Sequence, residues 1–357
     1  MYQSVTINNF RCFGDFTIAP LGQVNLMIGS NSVGKTALLE AIFLLTNESN
    51  IHSIQQLSDF RFLRNDIGSE NQFGKWFWTP LFHKLDTDSQ INIQGQAKDN
   101  SKCHTNVSVV PHIFARIPLN NKENRLGERL SSLSTKELQI EYTDFKGEKR
   151  ISRMFFENGS IRVEQQQSLP SSVLFLTAHR GQTRIFEEDA RLFGEMIVRQ
   201  EPYDLLAALK IVAPQLKRLT PIPHTSGGII YGDIGLEQML PLPLLGEGLS
   251  HLMTIMLRIA STQHGILLID EIENGLHYST LTKIWAAIGK AARDFDVQIF
   301  ATTHSWECIR AAHEAFMAND VCDFRLHRLE KVKDEIKAIT YDQDAINTSI
   351  EMNWEMR

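Results

Sequence analysis

A chain of 357 residues, 43% hydrophobic and 22% charged, has room for two average domains or for one large domain carrying an insertion. The formal net charge of −6 excludes a global nucleic-acid signature, so any DNA or RNA contact would need a local basic patch. The four cysteines lack C-x-x-C spacing and read as reduced thiols, no apolar run approaches the roughly 18 residues that span a bilayer, and the N-terminus alternates like a strand rather than a signal peptide. A cytoplasmic chain without membrane contact is expected.

Residues 3–9 alternate, 10–15 break the pattern, and 16–19 begin a second short strand. Arg11, between Phe10 and Phe13, reads either as a solvated strand edge or as a neighbour of a nucleotide's base and ribose. The apolar run Val24, Leu26, Met27 and Ile28 predicts a buried strand, and residues 35–45 repeat apolar positions at helical spacing. Between them Gly29, Gly34, Lys35 and Thr36 satisfy G-x-x-x-x-G-K-[ST]. The loop Gly29, Ser30, Asn31, Ser32, Val33, Gly34 can turn its backbone N–H groups around phosphate oxygens. The helix through Lys35, Thr36 and Ala37 points its positive end at the same place. Lys35 would neutralise the β- and γ-phosphates and Thr36 would present its hydroxyl to Mg²⁺. This stretch predicts a nucleoside triphosphate site.

A second helix is expected over 51–63, and the aromatic stretch 74–84 reads as a packing contact. Alternating segments at 90–96, 105–116, 137–144, 149–156 and 160–165 predict strands, with Asn158-Gly159 as a type I′ hairpin signal. Cys103, His104 and His112 read as ordinary strand residues rather than metal ligands. The polar stretch 117–136 reads as a loop; its Asn121-Lys122-Glu123-Asn124 lacks the final Asp of a guanine-specificity tetrad, which disfavours GTP. A buried strand over 172–178 precedes helices at 183–199 and 202–218, closed by Pro221 and Pro223, and then a strand at 228–234. Arg180, Arg184, Arg191, Lys210, Lys217 and Arg218 on this arm form either a basic patch or solvated helix faces.

Leu245-Gly246-Glu247-Gly248-Leu249-Ser250 precedes a long apolar helix at 251–262. Residues 266–269 then form a fully apolar strand ending in Asp270-Glu271, the texture of a parallel strand buried on both faces. Asp270 would hold Mg²⁺, and Glu271 is placed to polarise the water attacking the γ-phosphate. After a helix at 279–293, the strand 297–301 runs into Thr302-Thr303-His304-Ser305. His304 reads as a γ-phosphate sensor or as a cap of the helix at 305–317. A hairpin at 323–340 and a polar tail complete the chain.

Four motifs in this order, at 29–36, 245–250, 266–271 and 302–305, resemble those of ABC-type ATPases of the SMC/RecF/OLD-like branch. Ile7-Asn8-Asn9-Phe10-Arg11-Cys12-Phe13 is similar to that branch's N-terminal strand, and residues 268–277 with 301–305 resemble predicted ATP-binding proteins grouped with OLD-family ATPases. The resemblance implies an α/β phosphate-loop head with a mixed sheet flanked by helices. Its core would comprise 1–50 and 225–340. An insertion at 51–224 would contribute a β-rich part, a helical arm and a core strand near 172–178, with 341–357 as tail. It implies ATP and Mg²⁺ as cofactors, catalytic roles for Lys35, Glu271 and His304, and a head-to-tail homodimer in which Gly246, Glu247, Gly248 and Ser250 touch the ATP of the partner chain. The signature departs from L-S-G-G-Q, Ser250 alone can replace its hydroxyl, and His277 stands where a bridging Asp is usual. Gln55, Gln56 and Gln72 are loose candidates for a Mg²⁺-sensing glutamine. No Toprim nuclease or long coiled coil is expected. Three roles follow: an ATP hydrolase that drives dimer opening and closing to control a separately encoded effector, as in OLD-like defence ATPases; a slow ATP-gated scaffold; or a DNA repair ATPase of RecF/SMC type.

Overall fold

The computed structural model describes residues 1–60, 77–111, 136–157, 160–165, 173–177, 182–199, 205–224, 227–319, 323–341 and 343–351. Strands β1 (Tyr2–Phe10), β2 (Phe13–Ile18) and β3 (Val24–Ile28) lead into helices α1 (Lys35–Thr46) and α2 (His52–Phe60). Six strands follow: β4 (Ile91–Ala97), β5 (Lys102–Pro111), β6 (Lys136–Thr143), β7 (Lys149–Glu157), β8 (Ser160–Gln165) and β9 (Val173–Leu176). Next come helices α3 (Gln182–Val198) and α4 (Leu205–Leu209), then strands β10 (Arg218–His224), β11 (Gly227–Asp233) and β12 (Leu240–Pro241). Helix α5 (Glu247–Ser261), strand β13 (Ile266–Ile269), helix α6 (Leu281–Asp294), strand β14 (Gln298–Thr302) and helix α7 (Trp306–Asn319) precede the hairpin β15 (Phe324–Val332) and β16 (Glu335–Tyr341), and helix α8 (Gln343–Glu351).

The apolar runs meet in one six-stranded sheet, ordered β16-β15-β3-β14-β13-β9, parallel except for β16. Alternation along β13 explains its continuous apolar sequence. Leu267 and Ile269 face a cluster built with α5, α6 and α7, while Leu268 faces α1. A second, antiparallel sheet of seven strands, ordered β2-β1-β4-β5-β6-β7-β8, covers the far side of α1. The strands from 91 to 165 therefore continue the N-terminal sheet and share its core, instead of standing apart as an inserted unit. Helix α1 lies between the two sheets with ten of its twelve residues buried, as a helix that is apolar nearly all round must be. Gln298 pins the sheets together: its side-chain amide donates to the carbonyls of Tyr2 (2.8 Å) and Gly22 (2.8 Å), and its oxygen accepts from the Tyr2 N–H (2.9 Å).

Several local expectations change in three dimensions. Among the described residues of the helix read over 202–218, only α4 is helical; Pro214 has no N–H to donate and forces residue 213 away from helical geometry. Pro221 and Pro223 sit inside β10, where they are tolerated because β10 is the edge of a small three-stranded sheet with β11 and β12. The polar tail contains α8, docked through the buried Ile346 and a 2.5 Å contact between His313 Nε2 and Asn347 Oδ1. Phe77 and Trp78 are buried, as a packing role requires. Buried Cys103 donates its thiol to the Tyr2 hydroxyl at 3.7 Å, and among the described residues no cluster of three or more His, Cys, Asp or Glu could hold a metal. Positions 112, 121–124 and 158–159 lie outside the described residues. Among the described residues no helix is long and apolar enough to cross a membrane.

His327 on β15 is fully buried between the Thr340 hydroxyl (Nδ1, 2.9 Å) and the Asn25 amide oxygen (Nε2, 3.3 Å), beside the strand that feeds the phosphate loop. Burial, with a smaller push from Arg325, lowers its pKa to about 3. The unfolded imidazole takes up a proton near pH 6.5 while the folded one does not, so this site favours folding above that pH and loses its contribution as pH falls from about 6.5 towards 3. Thermal unfolding followed between pH 4 and 7 should show stability declining on acidification, and His327→Gln should flatten that slope.

Candidate nucleotide site

The site is assembled where β3, β13 and β14 end beside one another. Gly34, with φ 106°, occupies the left-handed region, and a Cβ there would stand 2.7 Å from Cys12 Sγ, so the turn into α1 requires glycine. Lys35 opens α1 with its ammonium curled back onto the loop, donating to the carbonyls of Gly29 (2.7 Å) and Ser30 (3.0 Å). Burial lowers its pKa; the nearby carboxylates of Asp270, Glu271 and Glu273 oppose that shift. An ammonium held under a loop of backbone amides is a charge that a phosphate chain can recruit.

Thr36 donates to both carboxylate oxygens of Asp270, at 3.0 and 3.3 Å. Thr302, at the end of β14, donates to Asp270 Oδ1 at 2.6 Å and accepts the Glu271 N–H at 2.9 Å. Thr36 and Asp270 thus bring two hard oxygen donors together, a set that suits Mg²⁺, which takes one or two protein ligands and completes its octahedron with phosphate and water. Glu271 has a φ of 54°, and its carboxylate accepts from the Asn274 side chain at 2.8 Å. His304 Nε2 stands 4.0 Å from Glu271 Oε1, while the His304 N–H donates to Glu273 Oε1 at 2.8 Å. Lys35, Thr36, Asp270, Glu271 and His304 all line one cleft of about 1030 Å³, together with Asn31, Ser32, Gly34 and Ala37. Val33 is buried in the core under the loop.

Arg11 is not a solvated edge. Its side chain is 11% exposed, pairs with the buried Glu40 of α1 at 3.0 Å and donates to the Pro80 carbonyl at 3.1 Å, forming a wall of the cleft near Lys84. The signature residues Gly246, Glu247, Gly248 and Ser250 do not line this cleft. Glu247 and Ser250 face a second cavity of about 430 Å³, between α3 and α5, and Gly246 is exposed. Gly248 abuts the loop after β13 so closely that a Cβ would stand 2.4 Å from the Gly275 carbonyl oxygen. Gln55 and Gln56 of α2 line neither cavity, and Gln72 lies outside the described residues. On the arm, Arg191 pairs with Glu195 and Arg218 lies 3.9 Å from Asp233, so these two are balanced by carboxylates, while Arg180 lies outside the described residues.

Sequence reading passed over Thr302 as part of a turn, and it missed Glu40, Glu273 and Asn274. An acidic residue in an otherwise apolar helix was the available signal for Glu40. Nothing in the local pattern marks Thr302, whose role depends on β14 pairing beside β13.

An ATP/GTP phosphatase of Helicobacter pylori is 24% identical over 347 residues, covering 90% of both chains. An uncharacterised protein of Methanocaldococcus jannaschii is 20% identical over 231 residues, covering 65% of this chain and 95% of that one. Among solved structures, the Thermotoga maritima SMC head domain is similar with a TM-score of 0.41 and 12% identity, covering 96% of this chain and 99% of that one. The Pyrococcus furiosus Smc head with an extended coiled coil, bound to the C-terminal domain of ScpA, is similar with a TM-score of 0.46 and 8% identity, covering 99% of each. Residues 24–309 match the family described as "AAA domain, putative AbiEii toxin, Type IV TA system". That span holds the phosphate loop, the Asp-Glu strand and the His304 turn, and the chain belongs to this family of AAA-domain ATPases.

Proposed function

We propose that the chain is a Mg²⁺-dependent ATP hydrolase whose turnover opens and closes a head-to-tail homodimer and thereby controls a separately encoded effector. The observation that carries the reading is the cluster around Asp270, where Thr36 and Thr302 converge on one carboxylate within reach of Lys35 and Glu271. Phosphoryl transfer needs little covalent chemistry from the protein, so positioning and charge neutralisation supply most of the rate. Thr36 and Asp270 would hold Mg²⁺, which would supply positive charge beside the phosphates. Lys35 leaves the loop carbonyls for the β- and γ-phosphates, Glu271 orients the water, and His304 contacts the γ-phosphate. Glu273 holds the backbone of the His304 turn and Asn274 orients the Glu271 carboxylate.

The dimer reading is supported by exposure. Gly246 and Glu247 are open to solvent beside the exposed His277 and Tyr278, and none of the signature residues is used by the chain's own cleft. The family's description names a putative toxin of a type IV toxin–antitoxin system, which accords with a role beside a separately encoded partner. The relative from Helicobacter pylori, named as an ATP/GTP phosphatase, supports the reading as a nucleotide hydrolase.

Glu271→Gln should lower hydrolysis by about 10²–10⁴-fold, the usual loss for a positioned general base, while nucleotide binding is retained. Sedimentation of that variant with and without ATP and Mg²⁺ should show a monomer becoming a dimer. A state indifferent to nucleotide would favour a slow scaffold over a cycling dimer. Lys35→Ala should weaken nucleotide binding by about 1.5–3 kcal/mol, the range for a hydrogen bond to a charged group, measured by equilibrium titration.

A further inference from the structure

Thr177 directly follows β9, the edge strand beside β13. In the parallel register Leu176 pairs with Ile269, and the Asp270 N–H donates to the Leu176 carbonyl at 2.9 Å, which sets Thr177 alongside Asp270. Strand alternation fixes the face. Leu176 and Ile269 belong to the cluster under α5, Phe175 and Leu268 to the α1 side, so the following pair, Thr177 and Asp270, returns to the α1 side where Thr36 stands.

The hydroxyls of Thr36 and Thr302 are both bonded to Asp270. The Thr177 Oγ1 is buried and has no hydrogen-bond partner among the described residues, although Thr177 lines both the phosphate-loop cleft and the cavity behind it. A buried hydroxyl without a partner is costly, and one on a residue that lines a cavity is explained when a ligand or its water supplies the bond. Mg²⁺ keeps several of its waters when bound through one or two protein oxygens.

We propose that Thr177 is a positioning residue for the metal, its hydroxyl holding a water of the Mg²⁺ shell beside Asp270. The inference rests on the reading of the cleft as a magnesium–nucleotide site. Outer-sphere partners of this kind typically change metal affinity by 10–100-fold when removed.

The test is the binding of a fluorescent, non-hydrolysable ATP analogue to the full chain, titrated with Mg²⁺. Thr177→Val and Thr177→Ala are both expected to raise the half-saturating Mg²⁺ concentration by roughly tenfold. Binding in EDTA should stay within about twofold of the parent, and Thr177→Ser should keep the parent's Mg²⁺ requirement. An unchanged Mg²⁺ requirement in Val and Ala overturns the assignment. So does a shift in Ser and Ala with Val unchanged, which would trace the effect to the methyl group's packing. A parent chain whose analogue binding ignores Mg²⁺ overturns the magnesium–nucleotide reading itself, an outcome distinct from failure of Thr177 alone.

Discussion

The convergence of two threonine hydroxyls on the Asp270 carboxylate is the constraint on which the rest of the site depends. Thr36 begins α1, Asp270 ends β13 and Thr302 ends β14, so one carboxylate ties together three segments distant in sequence. The Thr302 hydroxyl also accepts the Glu271 N–H, so the same contact directs the backbone that carries the second carboxylate. Displacement of any of the three segments would separate Thr36 and Asp270 from Glu271, the residues to which the proposed metal and water roles fall.

Burial keeps those segments in place. Helix α1 is enclosed by the antiparallel sheet on one side and the parallel sheet on the other, and its single buried carboxylate, Glu40, is compensated by Arg11. A buried carboxylate without such a partner would be strongly unfavourable. The position of Arg11 in the cleft wall is therefore coupled to the packing of the helix that opens with Lys35 and Thr36. On the other face, Arg258 of α5 is almost wholly buried and pairs with Asp189 (2.9 Å) and Glu188 (3.1 Å) of α3. Thr254 adds a hydrogen bond to Asp189 at 2.5 Å. The arm and the signature helix are thereby joined through charges that are costly to separate.

The loop after β13 reaches in both directions. Asn274 bonds Glu271, Glu273 bonds the His304 turn, and Gly275 packs against Gly248 at the start of α5. Motion of the Gly248 turn would press directly on the segment whose Asn274 holds the Glu271 carboxylate. This short path links the exposed turn that a second subunit would meet to the cleft where nucleotide would sit.

The local chemistry of the phosphate loop, the apolar strand ending in Asp270-Glu271 and the strand running into His304 were legible in sequence because each is set by neighbours within a few residues: glycines at a turn, a continuous apolar run, a carboxylate at a strand end. Strand and helix boundaries failed where proline or docking overrode periodicity, as at 202–218 and in α8. The solvated reading of Arg11 failed because its partner lies 29 residues away on a helix whose burial no local pattern states. Tertiary structure alone decided that residues 91–165 extend the first sheet, that Thr302, Asn274 and Glu273 belong to the site, and that Thr177 stands beside Asp270. Those placements follow from strand order and register, which depend on pairings between segments far apart in the chain, and alternation along a single strand carries no record of its neighbour.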